Sequence, residues 1–339
     1  MSSKNKSILL IDADSKIPNI ALMKLSHYFK QKGYRVDFVQ LNLSYYPHRK
    51  KRIFYSPNGY NKVFCSIIFP GNRSFIRGNK IIYGGTGFDL SINLPNVIEY
   101  GECDYTLYNE KEFSYGFISR GCIRKCPFCF IPKKEGYLHK VNKLSDIIRH
   151  NKVKFLDANF LALPSHKKIL SKLCSLDVMV EFNQGLDIRL LDTENSYLLS
   201  KLNYIGPYSF SFGDYSYLSI IEKKLPLLSW RKVNQIRFFV YVSPKMPLCD
   251  TIARIKYLRH NGCCVYLMRD IACWDSDFKD FYTDLAAYCN QVNMFSKTSF
   301  SEFMEIYHGE NRSANFDRMK NNIKLWGIAE HQLKRKFVK

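Results

Sequence analysis

Short β-prone runs recur along most of this chain at helix-length intervals, and that repetition limits the possible folds more than any other feature. From residue 113 onward the runs are Phe113 to Ser119, Lys154 to Leu156, Val178 to Asn183, Tyr208 to Phe212, Ile236 to Val242 and Cys264 to Met268. Each is rich in β-branched, aromatic or aliphatic residues. Strands that are separated by a helix's length of chain pair in parallel, because a parallel neighbour needs a long crossover. Six such units predict a β/α barrel or an incomplete one, with chemistry at the C-terminal ends of its strands.

A βαβ unit precedes the repeat. Ser7 to Ile11 reads as a buried strand, and Asp12-Ala-Asp-Ser-Lys-Ile-Pro-Asn19 then carries helix-start signals, with Asp14 or Ser15 as cap and Pro18 in the first turn. Ala21, Leu22, Leu25, Tyr28 and Phe29 recur at helical spacing, Gly33 ends the helix, and Tyr34 to Val39 resumes as a strand. Val63 to Phe69 and Lys80 to Tyr83 are further strands. The turn Gly84-Gly-Thr-Gly87 lacks the Gly-x-Gly-x-x-Gly pattern of dinucleotide sites and reads as a backbone turn with positive φ. The expected fold is α/β: a Rossmann-like parallel sheet over 1–110, the βα repeat over 111–295, and a basic, helical C-terminal extension over 296–339. No apolar run approaches the ~20 residues needed to cross a bilayer, and the first apolar run is too short for a signal peptide. The expected location is therefore cytoplasmic, without a membrane partner.

Ser119-Arg-Gly-Cys-Ile-Arg-Lys-Cys-Pro-Phe-Cys-Phe130 places Cys122, Cys126 and Cys129 in Cys-x3-Cys-x2-Cys, directly after the first strand of the repeat. Three thiolates from one short loop can hold three irons of a cubane [4Fe-4S] cluster and leave the fourth iron open to an outside ligand. A zinc site prefers four ligands, usually as two Cys-x2-Cys pairs, and no second pair is present, although Cys103, His139 and Cys174 are available. The later cysteines Cys249, Cys263, Cys264, Cys273 and Cys289 match no ligand spacing and read as buried structural residues. Eleven cysteines cannot all pair, and without a secretion signal clustered cysteines point to metal or redox chemistry in a reducing compartment.

Lysine and arginine number 51 against 30 aspartate and glutamate, a formal charge of +21. An excess of this size favours a polyanionic partner such as tRNA or DNA, and a lysine-rich surface without a partner is the plain alternative. The basic residues gather at His48-Arg-Lys-Lys-Arg52, between Lys133 and Lys154, and from Arg312 to Lys339.

With Cys122, Cys126, Phe128 and Cys129 forming Cys-x3-Cys-x-aromatic-Cys after the first strand of a parallel repeat, the chain resembles the radical S-adenosylmethionine (SAM) superfamily. The resemblance implies a partial (β/α)6 barrel and a [4Fe-4S] cluster whose open iron is chelated by the methionyl amine and carboxylate of SAM. It also implies reductive cleavage of SAM to methionine and a 5′-deoxyadenosyl radical, and an electron donor such as flavodoxin or ferredoxin. By strand order, Asp157 or Asn159 would meet the methionyl amine in place of the usual Gly-Gly-Glu. Gln184 and Arg189 end the third strand, and Arg189 would pair with either the methionyl carboxylate or a neighbouring aspartate. Ser211 would reach ribose or substrate, and the strand bearing Met268 would present backbone to the adenine. The N-terminal region resembles the cobalamin-binding domain found in one branch, but Asp12-Ala-Asp-Ser-Lys-Ile17 lacks the Asp-x-His-x-x-Gly motif, so cobalamin is not expected. No residue is assigned as the catalytic hydrogen donor. The leading expectation is modification of a nucleic acid. The alternatives are modification of a peptide or small metabolite, and a non-catalytic iron-sulfur protein that binds nucleic acid.

Overall fold

The computed structural model describes residues 6–43, 53–54, 59–78, 80–309 and 315–337. The run His48–Arg52, Arg312 and the last two residues lie outside the described residues. The chain is mixed α/β with parallel sheets and divides into two compact units, Met1–Leu156 and Asp157–Lys339.

In the first unit β1 (Ser7–Asp12), α1 (Ile20–Gln31) and β2 (Arg35–Gln40) form the expected βαβ turn. A two-residue strand β3 (Ile53–Phe54) precedes β4 (Lys62–Ser66), β5 (Ile76–Arg77) and β6 (Ile81–Gly84). Four strands make one parallel sheet in the order β2-β1-β4-β6, with Ile8 opposite Val36 on one side and Lys62 on the other. Both faces of β1 are buried, as a parallel sheet with both faces covered requires. Ile8 and Leu10 pack on Leu22, Leu25 and Phe29 of α1, while Leu9 and Ile11 pack on Val63, Cys65 and Ile67.

The cap of α1 differs from expectation. It is Asn19, whose side chain accepts from the Leu22 N–H at 3.2 Å. Asp14 is drawn instead to a longer-range task, accepting from the Ile68 and Phe69 backbone N–H groups and from Asn72 Nδ2 at 2.6–3.1 Å. Ser15 donates its N–H to Asp12 and accepts from Asn19 Nδ2. The glycine-rich turn fits its sequence reading: Gly85 has φ +95°, and a Cβ on Gly85 or Gly87 would lie 2.3–2.6 Å from the backbone of Ile67 or Phe69.

The unit continues through α2 (Asn96–Glu99) to β7 (Phe113–Gly116), β8 (Ser119–Arg120), α3 (Ile131–Lys134), β9 (His139–Lys140), α4 (Leu144–Ile147) and β10 (Lys152–Phe155). The run expected as one strand from Phe113 to Ser119 breaks at Phe117. β7 pairs in parallel with β10, whereas β8 turns to pair antiparallel with β9, making a hairpin whose enclosed loop carries the cysteines. Gly116 sits at the break, where a Cβ would meet the Ile147 side chain of α4 at 2.7 Å.

The second unit holds α5 (His166–Cys174), β11 (Met179–Phe182), α6 (Thr193–Lys201), β12 (Tyr208–Ser211), α7 (Leu218–Lys224), β13 (Ile236–Val242), α8 (Leu248–His260) and β14 (Cys264–Arg269). Strands β12, β13 and β14 are parallel neighbours, and bridges Val180 to Tyr204 and Leu186 to Phe210 place β11 and the loop after it beside β12. The pairings are those of open parallel sheets. Along β13 burial alternates: Ile236, Phe238, Val240 and Val242 are buried, while Arg237, Phe239 and Tyr241 are half-exposed on the other face.

Helices α9 (Lys279–Asn290), α10 (Val292–Lys297), α11 (Phe300–Gly309) and α12 (Phe316–Phe337) complete this unit. Buried Phe281, Tyr288, Phe295, Phe300 and Phe303 give them a shared aromatic core. Asp284, fully buried, accepts from Arg318 Nε and Nη2 at 2.9 and 2.6 Å and from Asn322 Nδ2 at 2.7 Å, pinning α12 to α9.

Candidate functional site

The cysteine loop hangs from the β8–β9 hairpin. At its neck Gly121 has φ +81°, and a Cβ there would lie 2.4 Å from the Tyr137 carbonyl oxygen, so only glycine lets the two backbone arms approach. The Gly121 N–H donates to Glu135 Oε2 at 2.8 Å, Arg120 pairs with Glu135 Oε1 at 3.3 Å, and the Cys122 N–H reaches the Gly136 carbonyl. Cys122, Cys126 and Cys129 are all partly exposed. The Arg124 N–H donates to Cys122 Sγ at 3.3 Å, and the Cys129 N–H closes a turn on the Cys126 carbonyl at 3.0 Å. Burial pushes the Cys129 thiol up, the Ile131 N–H draws it down, and the neighbouring Cys126 and Cys122 add to the rise. Phe128 stands 43% exposed beside them, with Phe130 at 45%.

Among the described residues, no three His, Cys, Asp or Glu side chains converge as ligands of a single ion. A cubane cluster makes a different demand, since each thiolate binds a different iron and the sulfurs stand around the cluster instead of meeting at one point. The loop offers three partly exposed thiols, a glycine neck and an N–H donor on one sulfur, the residue types that such a cluster would take.

In the second unit, Asp157 and Asn159 are buried just after β10, each 3% exposed. Asn159 Nδ2 donates to Asp187 Oδ2 at 3.4 Å. Arg189 is held by Asp187 as a fork, Nε to Oδ1 at 2.6 Å and Nη2 to Oδ2 at 3.0 Å, and its guanidinium covers the Tyr217 ring at 4.3 Å. Burial disfavours the Arg189 charge, and Asp187 outweighs that to raise its pKa. The Asp187 carboxylate thus takes the Nε and Nη2 edge of Arg189.

Gln184 is exposed next to Gly185, which has φ +82° and whose Cβ would press on the Phe239 ring at 3.0 Å. The Phe182–Asp187 loop thus lies against the open face of the sheet. That face carries Ser211 and Met268, both exposed, with Tyr266 and Phe239 in edge contact at 5.8 Å. The structure therefore gathers Asn159, Asp187 and Arg189, and sets Ser211 and Met268 on one open sheet face, with Gln184 exposed in the neighbouring loop.

Two polar residues make contacts at the strand ends that the sequence pattern does not single out. Arg254 is fully buried in α8 and donates to the Phe212 and Tyr241 carbonyls, each at 2.9 Å, where β12 and β13 end. Burial lowers its pKa to about 10, so the guanidinium stays charged at neutral pH. Its signal lay in the spacing, because Thr251, Ile255 and Leu258 mark the buried face of α8 and Arg254 falls on the same face. The second is Tyr241, whose hydroxyl donates to Asp270. Burial and the Asp270 carboxylate both push the Tyr241 phenol up, so it keeps its proton at neutral pH.

At the N-terminal sheet the crevice between the ends of β1 and β4, where such folds take ligands, is bridged by the Asp14 carboxylate. Asp12 beside it accepts from the Tyr108 hydroxyl at 2.6 Å. Of the later cysteines, Cys263, Cys264, Cys273 and Cys289 are buried, and burial raises the thiol of each, whereas Cys249 is only half-buried, with its thiol donating to Asp250 Oδ1 at 3.6 Å at the start of α8. No helix among the described residues is long and apolar enough to cross a membrane.

No protein-family model matches the chain, and no curated protein is significantly similar to it.

Proposed function

We propose that this chain is a radical S-adenosylmethionine enzyme that modifies a nucleic acid. One observation carries the reading: Cys122, Cys126 and Cys129, with Phe128 between the last two, occupy a glycine-necked loop just after the first strand of a parallel βα run. The three thiolates would hold three irons of a [4Fe-4S] cluster. Once reduced by an external one-electron donor, a cluster held there would supply the single electron needed for reductive cleavage of SAM and so the radical chemistry of the reaction. The Arg124 N–H on Cys122 Sγ would tune that sulfur as a cluster ligand.

Asp157 or Asn159 is proposed for the methionyl amine, Ser211 for a ribose or substrate hydroxyl, the β14 backbone at Met268 for the adenine edge, and exposed Gln184 for a polar contact beside them. Arg189, already forked with Asp187, is proposed to orient that carboxylate and to leave the methionyl carboxylate to other donors. The nucleic acid is proposed from the charge of +21.

The test is anaerobic reconstitution with iron and sulfide, followed by reduction in the presence of SAM. The wild-type chain is expected to hold about four irons and release 5′-deoxyadenosine, and Cys126→Ala to release none. A chain that holds the irons and releases no 5′-deoxyadenosine, or that takes up stoichiometric zinc instead, would falsify the enzymatic reading.

A further inference from the structure

A cleft of about 570 Å³ opens in the first unit between the segment after β4 and the turn after β6. Its wall is aromatic: Tyr83 and Phe88 stack at 4.9 Å between centroids, 17° from parallel. The Arg73 guanidinium lies 4.8 Å from the Phe88 centroid, which extends the pile to three flat groups. Arg77, exposed at the end of β5, gives the cleft a second guanidinium, and Ser74 adds a hydroxyl. The pile is held from below, because the Tyr83 hydroxyl donates to the Ile76 carbonyl at 3.2 Å and Ile76 is 1% exposed.

Among the described residues, none that lines the cleft is acidic. Asp89, whose carboxylate feels the Arg73 charge, is already hydrogen-bonded to the Ser91 N–H and hydroxyl. Two guanidinium groups, with Asp89 as a carboxylate near Arg73 that is engaged by Ser91, stand around a stacked aromatic wall and match a ligand that carries both phosphates and flat rings.

We propose that this cleft binds single-stranded nucleic acid, with an unpaired base stacked on the Arg73–Phe88–Tyr83 pile and the flanking phosphates on Arg73 and Arg77. Stacking is open to any base, because every base has a π-face, and it requires a strand whose bases are free of pairing. A duplex presents phosphates without free faces and would use only half of the site. This inference rests on the nucleic-acid part of the proposed function and not on the cluster. Binding is measured without SAM or reductant, so its failure and a failure of SAM cleavage are separate results.

The experiment is fluorescence anisotropy of the full chain with labelled single-stranded RNA and DNA oligonucleotides of one sequence, titrated at several salt concentrations. Binding of either strand supports the site. Arg73→Gln combined with Arg77→Gln is expected to weaken binding roughly tenfold or more and to reduce the salt slope by about 1.4, the loss of two phosphate contacts on a single strand. Phe88→Leu is expected to weaken it roughly tenfold with the slope unchanged, and Phe88→Tyr, which keeps the ring, to bind as wild type. Lys172→Gln with Lys223→Gln removes the same charge from exposed sites on α5 and α7 and should change little. Absence of binding, equal loss in the lysine control, or duplex bound as tightly as single strand overturns the proposal.

Discussion

Gly121 and Gly136 face each other across the neck of the cysteine loop, and both adopt left-handed backbone, at φ +81° and +74°. Their surroundings differ. A Cβ at 121 would drive into the Tyr137 carbonyl at 2.4 Å, whereas nothing lies within 4 Å of a Cβ at 136. Gly136→Ala should therefore cost only the left-handed penalty, about 1–2 kcal/mol, and leave iron uptake intact. Gly121→Ala carries that penalty and must also part the two arms of the hairpin. Its thermal midpoint should fall below that of Gly136→Ala, and it should reconstitute with fewer irons. Equal midpoints and equal iron would mean that the neck does not hold the loop. At this scale the cysteine triplet was legible and the support of its loop was not. Cysteine spacing is local, but the close approach of residues 121 and 137 depends on a β8–β9 hairpin that the strand pattern did not contain. Arg189 is similar: its aspartate partner could be named from two-residue proximity, and only the fold decided that Asp187 fills the fork.

Helix α1 shows how elements are tied by groups outside them. Asp104 accepts from Ser26 Oγ and Lys30 Nζ on α1, each at 2.6 Å, and caps its own turn through the Thr106 N–H at 3.0 Å. Burial alone would raise the Asp104 pKa. The bonds from Lys30, Ser26 and Thr106 outweigh it and hold the carboxyl below its ordinary 3.8. A carboxylate with a lowered folded pKa stabilises the fold above its unfolded pKa, and that contribution is lost as pH falls through the folded value. Asp104→Asn should therefore cost about 1–3 kcal/mol at pH 7 by urea unfolding, with the gap to wild type closing as pH drops below about 4. A gap that is independent of pH would show that the ionised form is not what binds α1. Elements with one strong local pattern were read well, as with β13, found over Ile236–Val242 as expected. The cap of α1 was misassigned between three polar neighbours, because Asp14, Ser15 and Asn19 are equivalent in local chemistry. The backbone N–H groups of Ile68 and Phe69, more than fifty residues away, claim Asp14.

At the scale of the whole molecule, the charge of +21 and the cysteine loop make separable demands. The charge acts over the surface and through counterion release, so polyanion binding should fall linearly in log K against log salt, with a slope of about −0.7 per phosphate contacted on a single strand. The cysteines act at one point. Replacing all three, Cys122→Ala with Cys126→Ala and Cys129→Ala, removes every proposed cluster ligand and leaves the lysine and arginine content unchanged. If catalysis and binding are distinct properties of one enzyme, the triple variant should release no 5′-deoxyadenosine and still bind oligonucleotide with a salt slope close to wild type. A structural or redox-sensing cluster predicts the opposite pairing: wild-type chain that never releases 5′-deoxyadenosine, and a triple variant whose binding is lost or strongly weakened because the cluster organised the surface. Anisotropy and nucleoside chromatography on the same two preparations decide between them. Retained binding with lost cleavage supports an enzyme whose substrate carries phosphates, and lost binding without any cleavage supports a nucleic-acid-binding protein built around iron.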